Sequence, residues 1–140
     1  MIFRQLFDPE SSTYTYLLAD NGEAVLIDPV MEQLERDLKL LNELNLTLRY
    51  CLDTHVHADH VTAAGSLRTR TGCKTAVCGD AGVACADIPL KDGDSLTVGT
   101  HTIEVRATPG HTSGCMTFVL NDGQQVRAFT GDTMFIRGCG

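Results

Sequence analysis

Apolar residues in this chain come in short runs broken by Gly, Asn and Asp, the spacing of a strand-rich fold. Tyr14-Thr15-Tyr16-Leu17-Leu18-Ala19 reads as a strand, and Asp20-Asn21-Gly22 as the turn of a hairpin. Glu23-Ala24-Val25-Leu26-Ile27-Asp28 returns as a continuous apolar strand, the pattern of burial on both faces, and Pro29 stops it. Residues 31–44 carry Met31, Leu34, Leu38 and Leu41 at helical spacing, with the charges expected on the opposite face. Leu48-Arg49-Tyr50-Cys51-Leu52-Asp53 follows as a strand. A second helix is expected from Ala58 or Asp59 to about Arg70, with Gly72 as its stop.

Beyond it, Lys74-Thr75-Ala76-Val77-Cys78 is a short strand, and residues 79–87 read as a small-residue helical turn. Strands are expected near 95–98, 101–107, 115–120 and 124–130, with turns at Gly99-Thr100 and Asn121-Asp122-Gly123. Some strands thus alternate with helices and others form meanders. That mixture predicts an α/β fold of sheet layers with helices outside.

Composition narrows the function classes. At 140 residues the chain holds at most one domain, 1–140, with room for a real core. A hydrophobic content of 43% and a charged content of 21% are ordinary for a globular protein. No apolar run approaches the roughly 20 residues of a membrane span. The N-terminus lacks the basic start and apolar stretch of a signal peptide, so the expected compartment is the cytoplasm. A net charge of -7 argues against a nucleic-acid partner but leaves room for an anionic small substrate. The six cysteines, Cys51, Cys73, Cys78, Cys85, Cys115 and Cys139, include no C-x-x-C pair and are expected as free, mostly buried thiols.

The chemistry concentrates in Thr54-His55-Val56-His57-Ala58-Asp59-His60, which holds three of the five histidines. Neutral imidazole and carboxylate are the usual ligands of catalytic zinc or iron. The cluster directly follows a strand, where α/β proteins place their sites. Two further ligand candidates sit in Gly-flanked turns: His111 in Thr108-Pro109-Gly110-His111-Thr112, and Asp132 in Thr130-Gly131-Asp132-Thr133. His55, His111 and Asp132 each come just after an expected strand, so one edge of a layered fold could gather them. Within the cluster, His55 and His57 form one pair and Asp59 and His60 another, and each pair could face its own metal position. Asp28 and Asp53 end strands near the same edge and are candidates for supporting hydrogen bonds. His101 matches no ligand motif and reads as an ordinary exposed residue, and Tyr14 and Tyr16 read as strand packing.

T-H-x-H-x-D-H followed by a Gly-His turn and a Gly-Asp turn resembles the metallo-β-lactamase superfamily. The resemblance covers nearly the whole chain and implies an αββα sandwich with a metal site at one edge of the two sheets. Residues 12–20, 24–30, 52–62, 108–115 and 129–132, with the closing Ile136-Arg137-Gly138-Cys139-Gly140, are similar to persulfide dioxygenases within that superfamily. The related glyoxalase II enzymes usually carry a Gly-His pair where this chain has Gly114-Cys115.

The resemblance implies that His55, His111 and Asp132 hold one Fe(II) per chain and form the catalytic centre. Glutathione persulfide and O2 would there be converted to sulfite and glutathione, in sulfide detoxification. His57, Asp59 and His60 would support those ligands. In a glyoxalase II-like hydroxyacylglutathione hydrolase they would instead bind zinc or a binuclear metal directly. Arg137 and Cys139 are substrate-contact candidates on the same ground. Superfamily members run considerably longer, so an N-terminal part is expected, with the C-terminal part of the sandwich missing. A natural short form that completes itself as a homodimer is the alternative. A non-catalytic metal-binding fragment is the third functional reading. β-Lactamase and nuclease readings find no secretion signal and no basic surface to support them.

Overall fold

The expected hairpin forms with the turn geometry its residues favour. Asn21 and Gly22 both have positive φ, 54° and 80°, as a two-residue turn matching the twist of its strands requires. The computed structural model describes residues 2–10, 13–53, 64–78, 87–107, 116–121, 125–129 and 134–138.

The elements are β1 (Ile2–Asp8), β2 (Thr13–Asp20), β3 (Glu23–Ile27), a 3-10 turn (Met31–Gln33), α1 (Leu34–Glu43), β4 (Thr47–Leu52), α2 (Ala64–Thr71), β5 (Lys74–Cys78) and β6 (Ile88–Leu90). They continue with β7 (Ser95–Val98), β8 (His101–Ala107), β9 (Met116–Asn121), β10 (Gln125–Phe129) and β11 (Met134–Gly138). One sheet has the order β1-β2-β3-β4-β5-β6 and the other β11-β10-β9-β8-β7. The first is mixed: β1, β2 and β3 are antiparallel, while β3 to β6 run parallel. The second is antiparallel throughout.

The sheets pack face to face. Tyr16, Leu18, Val25, Ile27 and Leu52 from the first meet Val98, Ile103, Val105, Phe118, Leu120 and Phe129 from the second in one buried cluster. The other face of the first sheet presents Leu17, Ala19, Leu26 and Cys51 to Leu41 of α1 and Leu67 of α2. Leu17 and Leu26 therefore point away from Tyr16 and Ile27, as period-two alternation demands, and β3 is buried on both faces. Three layers of the expected αββα sandwich are in place, and no helix covers the outer face of the second sheet among the described residues.

Three strands escaped the sequence pattern: β1, β6 and β11. β1 mixes Arg4 and Gln5 with Phe3 and Phe7 because it pairs on one side only, and its burial does not alternate. β6 is three residues long with Pro89 at its centre, and proline argues against a strand in any pattern reading. The helix expected at 31–44 opens as a 3-10 turn, and its α-helical part is Leu34–Glu43. The start of the helix expected from Ala58 or Asp59, and most of the helical turn at 79–87, lie outside the described residues.

One charge is not where an amphipathic reading places it. Asp37 lies three residues after Leu34 and four before Leu41, on the apolar face, and is fully buried. Arg36 Nε donates to its Oδ1 at 3.1 Å, and its Oδ2 has no hydrogen-bond partner. Burial outweighs the arginine and pushes this carboxyl up to about 6.

Candidate metal site at the strand-end edge

The candidate ligands follow strand ends, and the strand pairing determines where those ends lie. In the first sheet Tyr16 pairs with Ile27 and Ile27 with Leu52. In the second, Ala107 pairs with Met116, Val105 with Phe118, and Phe118 with Phe129. The rings of Tyr16 and Phe129 touch across the sandwich, with centroids 4.9 Å apart. The ends of β3, β4, β8 and β10 therefore share one edge. From that edge the chain departs into 54–63, which carries His55, His57, Asp59 and His60, into 108–115, which carries His111, and into 130–133, which carries Asp132. These six side chains lie outside the described residues, as does Cys139. Arg137 pairs through its backbone with Val126 in β11, and its side chain also lies outside them.

Two carboxyl groups sit at the head of the histidine segment, one buried and one half-buried. Asp28 and Asp53 are the residues that follow β3 and β4. The Asp28 N–H donates to the Leu52 carbonyl at 2.8 Å, and the Asp53 N–H to the Ala76 carbonyl at 3.2 Å. The Thr15 hydroxyl donates to the Asp28 carbonyl at 2.8 Å within the buried interior. These bonds knit β2, β3, β4 and β5 at the site edge.

Asp28 has a left-handed φ of 55° immediately before Pro29. A residue before proline is normally extended, and this departure costs of the order of 1–3 kcal/mol, strain that clusters at functional sites. Burial, reinforced by the neighbouring Asp28, drives the Asp53 carboxyl well above the usual range. Its Oδ1 is shut off from solvent, with no hydrogen-bond partner among the described residues. Acid groups so placed favour a cation beside them, which fits the histidine and carboxylate donors of the adjoining segments. Among the described residues alone, no group of three metal-binding side chains occurs.

Helix α2, which follows the histidine segment, is fixed from three sides. Leu67 is fully buried, the Ser66 hydroxyl contacts Met31 sulfur at 3.8 Å, and Arg68 Nε reaches both carboxylate oxygens of Asp87 at 3.0 and 2.8 Å. Asp87 in turn accepts from the Thr75 N–H at 3.0 Å.

The opposite edge is occupied by structural contacts. The Thr100 hydroxyl and N–H both donate to Asp20 Oδ2, at 2.6 and 2.8 Å, and hold that carboxyl below its usual range. His101 Nε2 is 3.8 Å from the same oxygen. His101 is thus half-buried beside an acid, a correction to its reading as an ordinary exposed residue. Tyr16 is fully buried, as strand packing requires. A cleft of about 230 Å³ between Arg49, Thr71 and Lys74 lies on the side where β4 and β5 begin, and none of the candidate ligands lines it.

A family model described as the metallo-beta-lactamase superfamily matches residues 8–140. The chain belongs to the metallo-β-lactamase superfamily. It is 52% identical over 143 residues to the mitochondrial persulfide dioxygenase ETHE1 of Homo sapiens, a match covering 100% of this chain and 55% of that protein. The crystal structure of ETHE1 from Myxococcus xanthus superposes with a TM-score of 0.85 at 52% identity, covering 93% of this chain and 56% of that one. A hydroxyacylglutathione hydrolase of Methylococcus capsulatus is 35% identical over 133 residues, covering 91% of this chain and 50% of the hydrolase. The chain therefore spans about half the length of the curated relatives it matches. The fold is that of this superfamily, and the superfamily implies a metal cofactor.

The sequence pattern pointed to Asp28 and Asp53 as supports. It gave no hint that Phe7 stands exposed beside the same edge, because β1 itself was not visible in the pattern.

Proposed function

We propose that this chain is the catalytic core of a non-haem iron persulfide dioxygenase. It would oxidise glutathione persulfide with O2 to sulfite and glutathione in sulfide detoxification. The observation that carries this reading is 52% identity, over the whole chain, to proteins named persulfide dioxygenase. The shared strand-end edge supports it. His55 stands two residues past Asp53, Asp132 two residues before Met134 and His111 four residues past Ala107. Two residues of chain reach at most about 7 Å and four about 14 Å, distances that would allow all three to meet at that edge.

In this reading His55, His111 and Asp132 hold one Fe(II). That ion, when bound, supplies open coordination positions for the persulfide sulfur and for oxygen. The rest falls to the chain. Asp28 and Asp53 stiffen the base of the histidine segment. His57, Asp59 and His60 hold the ligands in orientation by hydrogen bonds. Arg137 would meet a glutathione carboxylate, and Cys139 would contact the sulfur chemistry. Residues 1–140 act as a single domain. The proposed compartment is the cytoplasm, whereas the Homo sapiens relative is named as mitochondrial. The partners are small molecules, with a second copy of the chain as the one macromolecular candidate.

The 35% identity to a hydroxyacylglutathione hydrolase favours one rival reading, a thioester hydrolase with a zinc or binuclear centre. Metal stoichiometry separates the two, since the hydrolase enlists His57, Asp59 and His60 for a second ion. Metal bound without turnover would instead mark a non-catalytic metal-binding fragment. His111→Ala tests the ligand set. The variant is expected to lose its iron on anaerobic purification, whereas a full iron equivalent in it would overturn the triad.

A further inference from the structure

Phe7 is the one large hydrophobic side chain exposed among the described residues, at 44%. An isolated exposed phenylalanine needs no explanation by itself. Its position and its fixation give this one significance.

The β1–β2 ribbon is longer than the strands beside it. β2 stops pairing with β3 at Tyr16, yet pairs on with β1 through Thr15, Tyr14 and Thr13. Those three residues carry the ribbon about 10 Å past the last β2–β3 pair. It stands as a wall on the flank of the edge where β3, β4, β8 and β10 end.

Period-two alternation puts Tyr14 on the same face as Tyr16, and Phe7 lies directly opposite Tyr14. The rings form a continuous series. Phe129 meets Tyr16 at 4.9 Å, Tyr16 meets Tyr14 at 6.4 Å, and Tyr14 meets Phe7 at 4.9 Å. Phe129 precedes the segment carrying Asp132 by one residue. The series thus climbs from the core, past the root of that segment, to the exposed Phe7 ring.

The far side of the ribbon is pinned to the start of α1. Arg36 Nη1 donates to the Phe7 carbonyl at 2.9 Å, and Gln33 Nε2 to Asp8 Oδ1 at 3.0 Å, with Asp8 buried. The backbone beneath the exposed ring is therefore held by Arg36 of α1, and the neighbouring Asp8 side chain by Gln33 of the preceding 3-10 turn. Such fixation costs ordering entropy that a purely solvent-facing ring does not require.

We propose that Phe7 and Tyr14 form an aromatic wall of the substrate site, against which the sulfur-bearing arm of a low-molecular-weight persulfide lies. This rests on the dioxygenase reading. Divalent sulfur packs favourably at aromatic ring edges, and a pinned ring presents that contact with little further ordering on binding. The wall acts on binding and orientation, because neither residue supplies an acid, a base or a metal ligand to the reaction.

Phe7→Ala tests the wall, since an exposed side chain can be removed without emptying the core. The first readout is binding of S-methylglutathione, a stable thioether, to the iron-loaded protein under anaerobic conditions by calorimetry. Loss of one sulfur–aromatic contact is expected to weaken it roughly three- to tenfold. The second is persulfide-dependent oxygen uptake, where KM is expected to rise by a similar factor with kcat and iron content unchanged. Phe7→Tyr should restore both values.

Equal binding by Phe7→Ala and the unaltered protein overturns the wall, whatever the activity. So does the absence of S-methylglutathione binding by the unaltered protein. A variant that loses stability with Kd and KM unchanged assigns Phe7 to packing and overturns it as well. Failure of the dioxygenase reading shows separately, as no persulfide-dependent oxygen uptake by the unaltered protein.

Discussion

Replacing Asp37 by Asn should make the protein more stable at neutral pH and leave it unchanged in acid. Asp37 is fully buried on the apolar face of α1, and burial pushes its carboxyl from 3.8 up to about 6. The folded state therefore holds the proton more tightly than the unfolded chain does. Stability from this group is complete below about pH 4, falls as pH rises through 4 to 6, and levels off above that. Each pKa unit corresponds to about 1.4 kcal/mol, so ionised Asp37 costs on the order of 3 kcal/mol at pH 7.

Asparagine keeps the shape and removes the titration. The value of about 6 already includes the opposing pull of Arg36, whose Nε lies 3.1 Å from Asp37 Oδ1. The net gain at pH 7.5 is then about 2–3 kcal/mol, with little difference at pH 4. For a chain of this size that raises Tm by roughly 6–12 °C at pH 7.5. Urea unfolding of both proteins across pH 4 to 8, followed by circular dichroism, reads the effect directly. If Asp37→Asn proved less stable than the parent by a constant amount at every pH, Asp37 would be a stably ionised partner of Arg36. The burial argument would then be refuted.

Two other substitutions probe the frame of the site. Phe129 is fully buried and packs on Tyr16 where the two sheets meet the edge. Phe129→Ala should cost about 3–5 kcal/mol and reduce iron retention, and a loss under about 1 kcal/mol in urea unfolding would contradict its role in joining the sheets. Gly99 has φ +58, and a Cβ there would press on the backbone carbonyl of Asp20 at the opposite edge. Gly99→Ala should cost about 1–3 kcal/mol while leaving iron content unchanged, and a fall in iron per folded chain would contradict the separation of the two edges.

Much of the layered fold could be read from pattern alone, for reasons visible in particular residues. β3 is buried on both faces, so Ala24 to Ile27 form an unbroken apolar run. Asn21-Gly22 forms the turn its composition predicts, and β8 occupies the expected 101–107. β1 was hidden because an edge strand has fewer neighbours to impose alternation, and β6 because Pro89 interrupts it. The burial of Asp37 was hidden because a carboxylate on an apolar helix face reads as a charge facing solvent. At the site, the strand ends before His55, His111 and Asp132 were legible from the strands themselves. That one edge could gather them was expected from the sequence, and the register and the contact between Tyr16 and Phe129 put the preceding strand ends on one edge. The wall carrying Phe7 depends on β1, so it became visible only with the structure.

The central claim is that this chain is built as an iron centre for persulfide oxidation. The most direct test is elemental analysis of anaerobically purified protein, paired with oxygen consumption on addition of glutathione persulfide. About one iron per chain with persulfide-dependent oxygen uptake is the predicted result, from the set of two histidines and one carboxylate. Two metal ions per chain with no oxygen uptake would contradict the claim and point to the hydrolase.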